Sequence, residues 1–178
     1  MLRCGGGDRG AFGELVRRYE TRLLAFIRSL VRDRGDSEDL FQETFLRIHR
    51  AAPRYVPRAR LSTFLYTIAR NLCLNHLQKK RATPVELMEE RGQTEEAGRA
   101  VDLAALKGHL AEALGRLPRE QREAITLRYV NDLPYKRIAE VMGAPMGTVA
   151  SWVHEGLKRL SPGLARYAPL VSDEGEGR

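Results

Sequence analysis

Pro134-Tyr-Lys-Arg-Ile-Ala-Glu-Val-Met-Gly-Ala-Pro-Met-Gly-Thr-Val-Ala-Ser-Trp-Val-His-Glu-Gly-Leu-Lys-Arg-Leu160 is the stretch on which the fold turns. Its spacing predicts a short helix, Pro134 to Met142, stopped by Gly143, and a second helix beginning near Met146. Pro134 suits a first helical position, with Asn131 or Asp132 beside it to cap the orphan backbone N–H groups. Ile138, Ala139 and Met142 share one face of the first helix; Val149, Val153, Leu157 and Leu160 share one face of the second. Each helix thus buries one stripe and leaves the other free. In a helix-turn-helix the free face of the second helix enters the DNA major groove. The same pattern also fits a plain helical hairpin, so the rest of the chain has to arbitrate.

Working upstream, helical periodicity dominates. Phe12, Leu15, Val16, Tyr19, Leu23, Phe26, Ile27 and Leu30 predict a helix from about Arg9 to Val31, broken by Arg32-Asp33-Arg34-Gly35. Asp36 or Ser37 is placed to cap a second helix running to Ala52, with Leu40, Phe41, Phe45 and Ile48 inward. Pro53 and Pro57 mark an arginine-rich loop. A third helix, roughly Leu61 to Lys80, follows with no Asp or Glu in it and ends on Lys79-Lys80-Arg81. Basic residues there complement the helix dipole for structural reasons alone. Beyond residue 102, one amphipathic helix carries Leu103, Leu106, Leu110 and Leu114, and another runs from Pro118 to Val130.

The net charge of +7 is unevenly spread. Residues 1–81 hold 17 basic and 8 acidic side chains, residues 82–102 hold 2 and 6, and residues 103–178 hold 11 and 9. A basic first part favours a polyanionic partner. The expected architecture is all-α: a small helical domain over 1–81, an acidic linker over 82–102, and a second over 103–165 containing the helix-turn-helix. A Gly- and Glu-rich disordered tail over 166–178 completes the reading.

Several classes recede. Cys4 and Cys73 form no CxxC and the four histidines are dispersed, so neither a zinc site nor a disulfide framework is indicated. Cys73 reads as a small core residue and Cys4 as an exposed thiol. No nucleophile–base–orienter set or phosphate loop is evident, which argues against an enzyme and against a cofactor. No apolar run approaches the ~20 residues of a membrane span, and the first residues lack a signal peptide's apolar core. A cytoplasmic location, with no direct membrane insertion, is the expectation.

Four colinear blocks then resemble a known family. They are Asp39-Leu-Phe-Gln-Glu-Thr-Phe-Leu-Arg47, Phe64-Leu-Tyr-Thr-Ile-Ala-Arg-Asn71, Leu117-Pro-Arg-Glu-Gln-Arg-Glu123 and Gly147-Thr-Val149. Together, over about residues 9–162, they resemble the group 4 (extracytoplasmic-function) sigma factors. The resemblance implies a promoter-specificity subunit that binds core RNA polymerase. Its first domain would melt and read the −10 element and its second would read −35 duplex. It also implies an anti-sigma partner, commonly membrane-bound, that releases the protein under an envelope or environmental stress.

On this resemblance, Arg54, Tyr55, Arg58 and Arg60 of the loop and Tyr66, Arg70, Asn71, Asn75, Lys79 and Lys80 of the third helix would hold the displaced strand. Cations neutralise phosphates, and aromatic surfaces receive unstacked bases. Each of these residues also fits a solvated surface or local cap, and Tyr66 also fits a core position. Asp39, Gln42 and Glu43, three and four apart on the second helix, would meet polymerase, although Asp39 also suits dipole compensation.

Thr148, Ala150, Ser151, Trp152, His154, Glu155, Lys158 and Arg159 would face −35 DNA. Here the chain departs from the family: Ala150, Trp152, Glu155 and Leu157 stand where basic residues are common. Fewer cations mean weaker phosphate attraction, while Glu155 could accept from a cytosine amino group. An alternative follows, in which the chain is an adaptor that binds polymerase or an anti-sigma protein and hardly touches −35 DNA. A two-domain repressor is a third reading, but it leaves the Asp39–Arg47 block without a role.

Overall fold

The computed structural model describes residues 1–57, 60–82 and 99–164, with side chains for all of these except Arg9, 99–107 and 163–164. Arg58, most of the acidic segment and the tail therefore lie outside the described residues. Within them the chain is all-α, in two small helical domains, the second containing the helix-turn-helix. The elements are α1 (Leu2–Gly5), α2 (Arg9–Leu30), α3 (Arg34–Ala51), a 3-10 turn (Ala52–Arg54) and α4 (Leu61–Ala82). Then come α5 (Arg99–Arg116), α6 (Arg119–Ile125), α7 (Tyr135–Met142) and α8 (Met146–Leu164).

The first domain is set by capped helices around an aromatic core. The Asp8 carboxylate accepts from the Ala11 N–H at 2.9 Å and starts α2. Asp33, not Asp36 or Ser37, caps α3: its carboxylate accepts from the Asp36 N–H at 2.8 Å. The helix therefore begins before Gly35, and the expected break shrinks to Val31–Asp33. Ser37 is buried, its hydroxyl donating to the Val31 and Asp33 carbonyls. Freed from capping, Asp36 reaches α4, where His76 Nε2 lies at 3.0 Å and Lys80 Nζ at 2.5 Å. Leu23, Phe26 and Ile27 of α2, Phe45 and Ile48 of α3, and Leu65, Ala69 and Cys73 of α4 fill the core. Phe45 sits edge-on to Phe12 and Phe41.

Two local readings are settled by this packing. Cys4 is not exposed: α1, which no periodicity announces, folds against the 3-10 turn and leaves it 8% accessible. Cys73 is a core residue, fully buried, and burial first, with the nearby Glu123 charge second, pushes its thiol up to about 12.

In the second domain α6 passes into a π-helical turn, Thr126–Val130, instead of continuing as one α-helix. The turn ends on Asn131, which is its C-cap and does not cap α7. Its amide donates to the Thr126 carbonyl at 3.0 Å, and residue 132 then takes a left-handed φ of 54°. Pro134 is the N-cap of α7 rather than its first helical residue, and no side chain caps that end. Gly143 ends α7 with φ 64°, a conformation glycine adopts without steric cost. Ile138, Val141 and Met142 face Val149 and Val153 across the turn.

On α8 the buried stripe is Val149, Val153, Gly156 and Leu160; Leu157 is 38% exposed. A Cβ at Gly156 would stand 2.5 Å from Ile125 Cδ1 and 3.3 Å from Gln121 Cβ, so a larger residue there would require Ile125 to move and Gln121 to give way. With Gly156 in the buried stripe, the neighbouring Leu157 lies outside it. The second domain rests on α2 and α4 of the first, and buried apolar side chains of both form one continuous cluster.

Candidate nucleic-acid interface

The acid-free α4 presents a polar edge to solvent. Asn71, Asn75 and Lys79, four residues apart, are exposed along it. Lys80 is exposed too, but its ammonium is engaged by Asp36; that hydrogen bond raises its pKa. Asp36 itself is pulled below the carboxylate range: burial pushes it up, but hydrogen bonds and charge from Lys80 and His76 prevail. The pair therefore neutralises part of the basic end of α4.

The loop before α4 contributes Arg54 and Arg60, both exposed. The half-buried Tyr55 ring leans on Phe64 with centroids 5.2 Å apart. Beside Tyr55 a groove of about 660 Å³ runs between α1, α2 and the loop, lined by Leu2, Arg18, Tyr19, Pro57 and Leu61 among others. No motif announces this groove, because α1 is too short to leave a period. It nonetheless sets aromatic and basic side chains beside the loop.

Two residues expected at this face are not available on it. Tyr66 is 1% exposed, edge-on to Phe26 at 5.4 Å, and its hydroxyl donates to Asn131 Oδ1 at 2.5 Å. Burial drives its phenol pKa well upward. As placed, Tyr66 is a core residue and not a stacking platform. Arg70 is half-buried, and its guanidinium donates to the carboxylate of Glu123, which is 0% exposed. Sequence spacing cannot anticipate either partner, since they lie 65 and 53 residues away.

On α3, Asp39 and Gln42 are exposed, and Glu43 is half-buried with its carboxylate accepting from Arg47 Nε at 2.7 Å. That hydrogen bond holds the Glu43 carboxyl below its ordinary range. One turn on, Leu46 stands 51% exposed on the same side. An apolar side chain among polar ones suits a protein contact better than solvent, and its signal in the sequence is its offset from the buried Phe45 and Ile48.

On α8, Ser151, His154, Glu155, Lys158 and Arg159 are exposed, with Thr148 and Ala150 half-buried. Trp152 packs against the core cluster and is only partly accessible, so it is not presented as a free recognition side chain. Glu155 is held in place: Gln121 Nε2 donates to one oxygen and Ser151 Oγ to the other, each at 3.2 Å. The carboxylate is thus a positioned acceptor. Near the start of α7, the Arg128 guanidinium lies over the rings of Tyr129 and Tyr135 at 5.7 and 5.6 Å, a cationic and aromatic edge that no sequence motif marks. No helix among the described residues is long and apolar enough to cross a membrane.

A first domain of helices α1–α4, the last of them basic and acid-free, joined to a helix-turn-helix domain, fits a class of protein that handles nucleic acid at two places. Comparison makes the class specific. Residues 15–83 match the family model described as Sigma-70 region 2, and residues 108–160 match Sigma-70, region 4. The ECF RNA polymerase sigma-E factor of Haemophilus influenzae is 32% identical over 157 residues, 82% of each chain. The RNA polymerase sigma factor CarQ of Myxococcus xanthus is 31% identical, covering 90% of this chain and 92% of that one. In three dimensions the chain resembles the sigma factor RpoE solved with the anti-sigma factor NepR from Bartonella quintana. The TM-score is 0.70 at 23% identity, covering 87% of this chain and 97% of that one. The chain belongs to the sigma-70 family of RNA polymerase sigma factors, among its extracytoplasmic-function members.

Proposed function

We propose that this chain docks on core RNA polymerase and directs initiation at a particular set of promoters, acting by binding and not by covalent catalysis. The observation that carries the reading is the pairing of an acid-free helix, α4, within the region 2 match with a positioned helix-turn-helix within the region 4 match. The displaced −10 strand would lie along Arg54, Tyr55, Arg58, Arg60, Asn71, Asn75, Lys79 and Lys80, with Tyr66 supporting α4 from the core and Arg70 held by Glu123. Cations there offset phosphates, and the Tyr55 ring can receive a base. Asp39, Gln42 and Glu43, with Leu46, would meet polymerase. Thr148, Ser151, His154, Glu155, Lys158 and Arg159 would reach −35 duplex, with Ala150 against the backbone and Trp152 supporting the helix from behind.

Glu155 is the base reader this arrangement favours. A carboxylate held by Gln121 and Ser151 is a positioned acceptor for a cytosine amino group. A cytoplasmic protein held by an anti-sigma partner, and released by an envelope or environmental stress, fits the same reading. Among similar proteins, RpoE was solved with the anti-sigma factor NepR, and CnrH with the cytosolic domain of CnrY.

The test is reconstitution with purified core enzyme on genomic DNA, followed by sequencing of RNA 5′ ends. Discrete start sites sharing upstream motifs are expected; no transcripts above core enzyme alone would end the proposal. The poverty of cations on α8 favours one second reading, the adaptor with little −35 contact. Undiminished run-off from −35-deleted templates, and no gain from Ala150→Lys with Glu155→Arg, would select it.

A further inference from the structure

A crevice of about 610 Å³ lies between the end of α2 and α5, α6 and the π-helical turn. Four arginines and one carboxylate line it: Arg28, Arg32, Arg116, Arg122 and Glu112. Two of the arginines are engaged by acids, Arg28 by Glu38 at 3.4 Å and Arg116 by Glu112 at 2.7 Å. The other two converge on one neutral atom. Arg32 Nη2 and Arg122 Nη1 both donate to the Gly115 carbonyl, the latter at 3.2 Å. The acids whose charge reaches Arg122, Glu123 and Glu120, are taken by Arg70 and Arg119. We propose that this crevice binds a small phosphate monoester carried on an apolar or aromatic body, with Arg32 and Arg122 holding the phosphate. Among the described residues none from α4 or α8 lines it, so the site is separate from both proposed DNA faces.

Helix capping alone does not account for the two arginines. Gly115 lies one residue before the end of α5, where carbonyls lack helical partners and the dipole leaves about half a negative charge. That balances part of one guanidinium and not two. Arg122 Nε is buried with no hydrogen-bond partner, a rare condition for a native polar group. Burial first, then the Arg32 and Arg119 charges, lower the Arg122 pKa against the opposing pull of Glu123 and Glu120. An arriving anion relieves that crowding of like charge.

The charge count selects the ligand class. A phosphate monoester carries about −1.5 to −2 at pH 7 and so matches two uncompensated guanidiniums, whereas a carboxylate matches one. Gly115 uses one nitrogen of each fork, and the N–H groups left over suit the paired geometry that arginine offers an oxyanion. The rest of the lining decides what the phosphate is attached to. Ala25, Ala111, Leu114 and Val130 are apolar. Inorganic phosphate would leave that surface uncovered, while a ring or short chain would fill it.

Phenyl phosphate is the probe, titrated into the full chain and followed by isothermal calorimetry. It should bind saturably at millimolar concentration or below, and at least tenfold more tightly than inorganic phosphate or the singly charged phenylacetate. Arg32→Gln with Arg122→Gln should weaken it at least tenfold. Arg50→Gln with Lys136→Gln, an equal loss of charge at exposed positions elsewhere, should change it less than twofold. Ala25→Phe fills the apolar floor and leaves both arginines, so it should abolish the preference for phenyl phosphate over inorganic phosphate. The assignment would be overturned by the absence of saturable binding, by equal affinity for either control anion, or by a preference that survives Ala25→Phe. Equal weakening by the two double variants would overturn it as well. So would displacement of the probe by an unphosphorylated single-stranded oligonucleotide, which would return the crevice to nucleic acid. Should the arginine double variant lose its helical circular dichroism, Arg32→Gln alone decides. That side chain is exposed, its loss should still weaken binding at least threefold, and a smaller change would overturn the site.

Discussion

On the proposed function, the two domains would approach nucleic acid by opposite means. The first offers charge: α4 carries no acid over 22 residues, and Arg54 and Arg60 precede it in the open. The second offers fit: its outward helix has few cations, and its best-placed polar group is a carboxylate held by two hydrogen bonds. A released single strand has no groove to complement, so phosphate neutralisation and stacking are what remain for binding it. Duplex presents base edges at fixed positions, where a rigid acceptor can discriminate. On the proposed function, the first domain would rely mainly on grip and the second on positioned base contacts, and three sets of substitutions strain that division in turn.

The largest effect should come from Gly156→Val. Side-chain atoms beyond Cβ cannot fit where the Cβ alone would meet Ile125 Cδ1 at 2.5 Å and Gln121 Cβ at 3.3 Å. Overpacking should cost roughly 1–3 kcal/mol. Because Gln121 also positions Glu155, upstream DNA recognition should fail before strand binding does. Urea denaturation and separate binding assays on −35 duplex and −10 oligonucleotide would measure this; equal losses on both would deny that fit is confined to the second domain. Ile125→Ala in the same chain should recover part of the stability, since it vacates the space the valine needs.

Next is the charge of the first domain. Arg54→Ala with Arg60→Ala should lower the log–log salt slope of −10 oligonucleotide binding by about 0.7 for each phosphate no longer neutralised. Glu155→Gln should leave the salt slope of −35 binding almost unchanged. It should instead move base preference at one position from cytosine toward adenine, by about 1–3 kcal/mol. A slope change from Glu155→Gln, or a change of sequence preference from the arginine variants, would erase the contrast.

What the sequence discloses follows the same line between local and distant. The helix-turn-helix, its glycine stop, the long helices and the acid-free face of α4 are all written in neighbouring residues, where a period or a punctuating glycine suffices. Partners across the chain leave no such mark. Nothing near Arg70 names Glu123, and nothing near Tyr66 names Asn131, so both read as available for DNA. Leu157 misleads for a related reason: periodicity counts apolar residues, and the position that completes the buried stripe beside it is a glycine, Gly156. Cys4 misleads because a four-residue helix is too short to show a period, yet long enough to bury a thiol.

The smallest effect concerns how each domain starts its helices, and it tests whether the first is also the more locally determined. Asp8 and Asp33 give α2 and α3 side-chain caps, whereas α6 and α7 begin at Pro118 and Pro134 with no side-chain cap hydrogen bond. Asp33→Ala should therefore cost about 1 kcal/mol, a fall of about 2–4 °C in Tm for a chain of this size. Pro134→Ala removes no hydrogen bond and should change stability by no more than about 0.5 kcal/mol. Thermal melts of the two single variants against the parent give the comparison directly. Should Pro134→Ala prove the more costly, the rigid φ of proline would be what holds α7 in register after the left-handed Asp132, and the second domain's order would begin at that turn instead of in its core.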